Sequence, residues 1–410
     1  MKNKGWARTF VLAGGHFWVD YYANMLPTIL PLISGLWGLS NSQLALIVSV
    51  QSLTGNLLQP FFGYLLDKKS RYSLLGIALA IMAVPMSFIY LAGNYLAFAV
   101  FVTVAGIGAS LYHPLGASKS IEGAGSEQAL KVSVYSGMGS LGFAFSPVIT
   151  ALIIAAWGLK GLSYTIVPSI LWLVLLIVVR QFSKPRSNEG KVEVASGERF
   201  MSKEELMMSE ASADETNKVP QQNIKPLIFI NIIVACRSWL ISACTIFFPV
   251  WMLGRGMDGR LAGLYLSLFL LAGTAGGFVF GYLYPRFGAK LLLLSSFAAS
   301  LLLLPLLPMA NNIWLAVLIA AFGFVLIGST PITIVMAQNL MPKRAGLASG
   351  LTMGFAFGIG GLGTYLTGFW ADSFGVMNAL YLSSLILIPA GIYTVLLVRN
   401  RVIMAQNQAV

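Results

Sequence analysis

The sequence predicts an all-α membrane protein whose twelve transmembrane helices form two six-helix bundles. The chain has 410 residues, of which 57% are hydrophobic and 10% are charged, whereas soluble proteins carry roughly a quarter charged residues. Its apolar stretches reach about 20 residues, the length that a helix needs to cross roughly 30 Å of hydrocarbon. Short sequence segments also recur in the same order in the two halves.

Hydropathy divides the apolar sequence into twelve predicted spans. In chain order they are 9–36, 42–65, 73–92, 95–119, 132–156, 162–180, 226–253, 261–284, 290–309, 313–340, 346–370 and 379–398. The first span follows Lys2, Lys4 and Arg8, as the apolar part of a signal peptide would. We expect it to be retained, because it carries His16 and Asp20 and shows no obvious small-residue cleavage site.

A polar segment separates the first six spans from the last six. Residues 181–225 contain eight of the fourteen acidic residues and read as a cytoplasmic linker. The predicted domains are therefore an N-terminal six-helix bundle at 1–180 and a C-terminal six-helix bundle at 226–410.

The two halves repeat each other at a nearly constant offset. GYLLDKKSRY at 63–72 recurs as GYLYPRFGAK at 281–290, which is 218 residues later. GFAF at 142–145 recurs at 354–357, and Pro31 and Pro249 are again 218 residues apart. A parallel repeat of this kind is typical of transporters whose binding site lies between the halves.

The net charge of +12 follows from topology. With the N-terminus in the cytoplasm, 22 of the 26 Lys and Arg lie on the cytoplasmic side. Lys160, Arg255 and Arg260 lie outside, and Arg237 lies within a span. This distribution is the positive-inside bias, and it predicts that both termini are cytoplasmic. We therefore expect a lipid bilayer, and no nucleic acid, as the partner of the basic residues.

Four ionisable side chains lie deep inside the predicted spans, namely His16, Asp20, His113 and Arg237. A charge there costs at least about 2.5 kcal/mol, so such residues usually line a water-filled path or a binding site. His16 and Asp20 are four residues apart and share one helix face, and histidine titrates near neutral pH. We predict proton coupling by Asp20, His16 and His113; a structural hydrogen bond is the alternative.

Arg237 is predicted to bind substrate, because a guanidinium offers a planar fork to a carboxylate or a phosphonate. It lies 217 residues after Asp20, so the repeat places the two at nearly equivalent positions. They could pair in one state and part in another; a permanent structural ion pair is the alternative. The spacing of the histidines and Asp20 specifies no metal, and we expect neither a metal nor a cofactor.

A further set of polar and aromatic residues could complete a substrate pocket, although such residues in membrane helices more often serve packing. They are Tyr21, Asn24, Gln51, Tyr112 and Gln338.

The segment GYLLDKKSRY resembles the loop signature of the major facilitator superfamily, usually G-x-L-x-D-R-x-G-R-R. The matching residues are Gly63, Asp67, Lys68 and Arg71, while Ser70 replaces the usual glycine. GHFWVDYY, QPFFGYLLDK, YHPLGASK and SGMGSLGFAFSP resemble the fosmidomycin-resistance branch of that superfamily. One departure is Leu115, which stands where efflux members of this branch would carry a polar or acidic residue.

The resemblance implies a central cavity lined by helices 1, 4, 7 and 10. Helices 1, 4 and 7 carry the four ionisable residues that lie deep inside the predicted spans. It also implies a gating role for the loop signature, in which Asp67 packs near the cytoplasmic start of helix 11. A helix N-terminus attracts a carboxylate, so this contact would hold the two halves together.

The expected function is proton-coupled efflux of a small polar or anionic compound, such as a fosmidomycin-like antibiotic, across a bacterial inner membrane. Proton-coupled uptake of a metabolite is the alternative, because the same residues would serve either direction. We expect a monomer whose partners are a small-molecule substrate and protons. No nucleophile motif, metal-binding run or cofactor loop supports an intramembrane enzyme, and a non-transporting receptor would bind a ligand without flux.

Overall fold

In the computed structural model, the described residues are 2–62, 72–120, 128–182, 224–341 and 350–399. They form helices joined by short connections, and this part of the chain contains no strand. The predicted linker at 181–225 lies almost entirely outside the described residues.

Within the described residues, six helices occupy the first half of the chain, and four of them are interrupted or carry a short irregular turn. They are α1 (Lys2–Ala23, continued by Leu26–Trp37), α2 (Asn41–Ser52, continued by the π-helical turn Leu53–Leu57), α3 (Tyr72–Ser87, followed by the 3₁₀ turn Ile89–Leu91), α4 (Tyr95–Ser120), α5 (Gln128–Trp157) and α6 (Ile166–Phe182, preceded by the 3₁₀ turn Leu159–Thr165).

The described part of the second half also contains six helices. They are α7 (Ile224–Gly254), α8 and α9 (259–287 and 289–303, the two parts of the continuous run Gly259–Leu303), α10 (Asn312–Gly328 and Thr330–Leu340), α11 (the π-helical turn Gly350–Phe355 and Ala356–Phe374) and α12 (Val376–Ser384 and Leu387–Arg399).

The joint between α8 and α9 is narrower than the sequence predicts. Spans at 261–284 and 290–309 were expected with a loop between them, but the helical run is interrupted only at Gly288. Its φ of 72° lies in the left-handed region, which glycine adopts readily because it has no Cβ. The second copy of the repeated motif, 281–290, therefore turns the chain at a single residue.

α1 is broken just after its two ionisable residues. Asn24 and Met25 have no helical assignment, and Pro27 lies in the first turn of the second segment. The Asn24 side chain donates a hydrogen bond from Nδ2 to the carbonyl oxygen of Phe143 on α5, at 2.8 Å. The break divides the predicted span 9–36 into two segments joined at this point.

Large apolar side chains cover the outer surface of the helices. Leu96, Phe278 and Leu302, for example, are each more than 70% exposed, as expected where a surface faces lipid. Eight helical stretches in the described part of the chain are long and apolar enough to cross a membrane, and one of them, Gly259–Met309, covers two predicted spans. The chain is thus an all-helical membrane protein, as predicted.

Two helix pairs, α5 with α8 and α2 with α11, form the largest contacts between the halves, and the second segment of α1 also meets α7. We call the face at which α1 begins and α12 ends the terminal face, and the other the far face. On the far-face side, Gly263 of α8 abuts Ala151 and the carbonyl group of Pro147 on α5, and the Val148 amide donates to Ser267 Oγ at 3.0 Å.

The second pair, α2 and α11, is held by hydrogen bonds along its length. Ser49 Oγ donates to the carbonyl oxygen of Gly361 at 2.9 Å, and Ser52 Oγ to that of Phe357 at 3.3 Å. At the far face, the Asp372 carboxylate of α11 accepts hydrogen bonds from two backbone amides that begin α2.

These amides belong to Asn41 and Ser42, whose nitrogen atoms lie 2.6 Å and 2.9 Å from the Asp372 oxygens. The next amide, of Gln43, donates to Ser40 Oγ in a capping box. The first four amides of a helix have no partner within it and are usually capped by a side chain of the same helix. Here Asp372, from the second half of the chain, caps the start of α2 in the first half.

Candidate functional site

α1 places His16 and Asp20 side by side, as their spacing predicts. Nε2 of His16 lies 3.2 Å from Oδ2 of Asp20. Both residues lie within the segment Lys2–Ala23, one helical turn apart. The pair therefore requires no long-range contact to form, only a continuous helix.

His113 of α4 joins this pair and completes a cluster of three titratable groups. Its Nδ1 lies 3.1 Å from His16 Nε2, and its Nε2 lies 3.5 Å from Asp20 Oδ1. The side chains of His16, Asp20 and His113 are 10%, 17% and 23% exposed. The three predicted proton-coupling residues thus form one contact group that is mostly, but not fully, enclosed. We call it the His–Asp cluster.

α5 forms the remaining wall of the His–Asp cluster. The carbonyl oxygen of Tyr135 lies 2.9 Å from His16 Nδ1, and the Tyr135 ring stacks on the His16 ring at 4.2 Å between centroids. Gly139, one turn later, is so close that a Cβ there would collide with both His16 and Asp20. Tyr135 was not predicted, although Gly139 lies within the segment SGMGSLGFAFSP that carries the family resemblance.

The His–Asp cluster has a donor set that a divalent transition metal could accept. One ligand atom from each of the three side chains lies within 4.8 Å of the others, and imidazole with carboxylate is a common metal-binding combination. The contacts between them, from 3.1 to 3.5 Å, are also hydrogen-bond or ion-pair distances. The geometry of the His–Asp cluster is therefore compatible with bound protons as well as with a metal.

Arg237 lies apart from the His–Asp cluster. It is fully buried, and its guanidinium donates from Nη1 to the carbonyl oxygen of Ser329 at 3.2 Å and from Nη2 to Thr333 Oγ1 at 3.0 Å. Its Nε has no hydrogen-bond partner. Asp20 makes its close contacts with the two histidines, so the Asp20–Arg237 ion pair that the repeat suggests is not formed in this conformation.

Three predicted pocket residues are buried, and their side chains form hydrogen bonds that join neighbouring helices. Tyr112 Oη donates to the carbonyl oxygen of Leu12 at 2.9 Å, Asn24 bonds to α5, and Tyr21 Oη accepts from Thr150 Oγ1 at 3.3 Å. These contacts favour a packing role in this conformation, and a substrate role for these residues stays a prediction.

The other two predicted pocket residues are partly exposed. Gln51 of α2 donates from Nε2 to the carbonyl oxygen of Ala23, beside the break in α1, at 2.9 Å. Gln338 lies near the end of α10. The predicted gating residues are outside the described residues; they are Gly63, Asp67, Lys68 and Arg71.

Comparisons with known proteins agree with this architecture. The sequence profile described as Major Facilitator Superfamily matches residues 12–364. The chain is 26% identical over 390 residues to the fosmidomycin resistance protein of Escherichia coli (strain K12), covering 94% of this chain and 91% of that protein. It is 27% identical over 363 residues to an uncharacterized transporter of the same superfamily from Bacillus subtilis (strain 168), covering 88% and 85%.

A solved structure shares the fold at low sequence identity. A D-xylose–proton symporter superposes with a TM-score of 0.73 at 14% identity, covering 95% of this chain and 97% of that one. At this identity the likeness concerns the arrangement of helices.

Proposed function

Because the chain belongs to the major facilitator superfamily, whose profile matches most of its length, we propose that it exports a small polar or anionic compound in exchange for protons. A fosmidomycin-like phosphonate is the first candidate substrate, since a fosmidomycin resistance protein is similar over 94% of the chain. The observation that carries the proposal is the His–Asp cluster, whose contacts are satisfied when it holds one proton beyond those of two neutral imidazoles and a carboxylate.

The need for this proton follows from the hydrogen bonds of His16. A carbonyl oxygen only accepts, so the contact with Tyr135 requires a proton on His16 Nδ1. In a neutral ring Nε2 then carries a lone pair, yet it faces the Asp20 carboxylate at 3.2 Å. A proton added to Nε2 turns this repulsive contact into a charge-assisted hydrogen bond.

The same proton satisfies the contacts of His113. If neutral His113 carries its proton on Nε2, that atom donates to Asp20 Oδ1. The single hydrogen on His16 Nε2 is then shared between Asp20 Oδ2 and His113 Nδ1 in a bifurcated hydrogen bond. All four contacts of the His–Asp cluster are then satisfied by one proton beyond those of two neutral rings and a carboxylate. Each tautomer follows from the hydrogen bonds that it allows.

Loss of this proton would force the His–Asp cluster to rearrange. With His16 Nδ1 still bonded to Tyr135, at least one imidazole lone pair faces the Asp20 carboxylate whichever tautomer His113 adopts. α1 is broken at Asn24, four residues after Asp20, so its two segments can adjust separately. The proton state of the His–Asp cluster would thereby bias the position of α1. The energy for transport would come from the protons, since one charge crossing a membrane potential of 100 mV supplies about 2.3 kcal/mol.

Arg237 is the candidate for binding an anionic substrate. A buried guanidinium without a carboxylate partner is costly, and its unpartnered Nε leaves one donor available. Its full burial means that α7 or α10 would have to move before a substrate could reach it. A structural role, in which Arg237 ties α7 to α10 through Ser329 and Thr333, is the alternative.

Reconstitution in liposomes tests the proposal, with fosmidomycin as the probe and an imposed pH gradient. Antiport moves the probe against the proton, so fosmidomycin should accumulate on the acidic side. Asp20→Asn should abolish this accumulation but spare some exchange of labelled for unlabelled probe. Asp258→Asn is the matched control, because Asp258 caps the start of α8 and contacts Arg260. Accumulation of fosmidomycin that does not depend on the pH gradient would refute proton coupling.

Uptake by symport is the second candidate, supported by the fold shared with a D-xylose–proton symporter. The His–Asp cluster would serve equally, since direction depends on which loaded states can reorient. In the same liposomes a symporter would accumulate its substrate on the alkaline side, so the sign of the response separates the two functions.

A further inference from the structure

Tyr135 contacts both histidines of the His–Asp cluster through three different groups. Its carbonyl oxygen faces His16 Nδ1 at 2.9 Å, and its ring lies nearly parallel to the His16 ring, with an angle of 17° between them. Its hydroxyl donates to the carbonyl oxygen of His113 at 3.4 Å. The residue is 3% exposed.

Two glycines leave room for this arrangement. A Cβ at Gly116 of α4 would collide with the Tyr135 hydroxyl, and a Cβ at Gly139 of α5 would collide with the His16 ring. The Tyr135 and His16 rings therefore occupy space that any larger residue at these two positions would take. The stacking thus depends on close packing of α1, α4 and α5.

We propose that Tyr135 is a positioning residue of the proton site, which holds the His16 ring toward Asp20 and favours its protonated form by stacking. The inference rests on the proposed function for its role in transport, but not for its effect on His16. An aromatic face attracts a cation placed over it, and the attraction is larger where water is excluded. The carbonyl of Tyr135 meanwhile fixes the proton on Nδ1, which leaves Nε2 to face the carboxylate.

The groups that face His16 come from several helices. Asp20 lies beside it on α1, His113 approaches from α4, and Tyr135 covers one ring face from α5. Tyr112 of α4 lies nearby and bonds to α1. The other sides of α1 meet α3 and α6, whose nearby side chains are Ser87, Ser169 and Trp172. Of these groups, Asp20 and His113 are the titratable side chains in contact with the His16 ring nitrogens.

Nuclear magnetic resonance of labelled histidine tests the role of Tyr135 directly. The chain contains only two histidines, so a protein purified without a histidine tag gives two ring signals, which His113→Gln assigns. We expect Tyr135→Leu to lower the pH midpoint of the His16 signal by about 0.5 to 1.5 pH units. Tyr135→Phe keeps the ring and should leave the midpoint close to that of the unaltered protein.

The control is Phe145→Leu, which removes a partly exposed aromatic ring from the same helix, away from the His–Asp cluster. An unchanged His16 midpoint in Tyr135→Leu would overturn the proposal, as would an equal shift in Phe145→Leu. If Tyr135→Leu does not fold, Tyr135→Met fills similar volume without a ring and carries the same expectation. The measurement needs neither substrate nor gradient, so absence of proton-driven transport would sink the proposed function separately.

Discussion

Replacing Asp372 should open the far face of the protein. In Asp372→Asn the carboxylate that accepts hydrogen bonds from the Asn41 and Ser42 amides loses its charge, and one of its two acceptor oxygens becomes a donor. The amides at the start of α2 then compete for a single acceptor. Because Asp372 belongs to α11 and the amides to α2, this loss weakens a contact between the halves and leaves each half intact.

The magnitude follows from what the carboxylate does. Loss of a helix N-cap costs about 0.5 to 2 kcal/mol, and an anion near a helix N-terminus contributes about 0.3 to 1 kcal/mol where it is exposed. Ser40 still caps the Gln43 amide, so the helix itself should persist. We expect the far-face contact to lose about 1 to 2 kcal/mol, and the ratio of closed to open molecules to fall by roughly 5- to 30-fold.

Distances between spin labels report this ratio. Leu36 at the end of α1 and Met309 after α9 are 67% and 79% exposed and lie in different halves at the far face. With Cys236 and Cys244 replaced, labels at these two positions should show a larger fraction of long distances in Asp372→Asn.

The control for this experiment is Asp258→Asn, which also removes a capping carboxylate at the far face. Hydrogen bonds from Arg260 lower the pKa of Asp258, and both residues belong to the second half, so their loss should not separate the halves. An unchanged distance distribution in Asp372→Asn, or the same change in both variants, would refute the reasoning.

Three further predictions concern the His–Asp cluster, the buried arginine and the α2–α11 contact. Gly139→Ala should abolish gradient-driven accumulation, because the added Cβ collides with His16 and Asp20, whereas Gly137→Ala adds a Cβ in open space and should transport normally. Equal transport by the two variants would contradict the close packing around Gly139. Arg237→Met should lose fosmidomycin transport. Its melting temperature should rise or stay within about 2 °C of the unaltered protein, because the substitution removes a buried charge without a carboxylate partner. A large fall in melting temperature would indicate that Arg237 has a structural role. Gly368→Ala should shift the spin-label distances as Asp372→Asn does, because its Cβ meets Ala45 and the Asn41 carbonyl oxygen of α2 at 2.6 Å; an unchanged distribution would show that the contact adapts.

The features predicted best from the sequence depend on short-range spacing. His16 and Asp20 meet because residues four apart share a helix face, and the all-helical membrane fold follows from span length and apolar composition. The meeting of these two with His113 was expected only through the resemblance that places helices 1 and 4 beside one cavity. The narrow joint at Gly288 was missed, because hydropathy reports where a chain is apolar and not where its backbone turns.

The contacts that the sequence did not reveal join distant residues through backbone atoms. Tyr135 reaches His16 with its carbonyl oxygen across 119 residues, and Asp372 reaches the Asn41 amide across 331. Every residue has a carbonyl group and nearly every residue an amide, so residue type gives no indication of such partners. Arg237 shows the converse: the repeat suggested Asp20 as its partner, but hydroxyl groups and a carbonyl on α10 lie closer.

The helix pair α2 and α11 suggests how the two faces could alternate. At the far face, Asp372 near the end of α11 accepts hydrogen bonds from the amides that begin α2. The family resemblance predicts the reverse contact at the terminal face, where Asp67 after α2 would meet the start of α11; Asp67 lies outside the described residues. Each carboxylate would then stabilise closure at its own face. If the halves rock as rigid bodies, forming one contact separates the partners of the other. Substituting Asp372 should therefore favour the conformation open at the far face, and substituting Asp67 the conformation open at the terminal face.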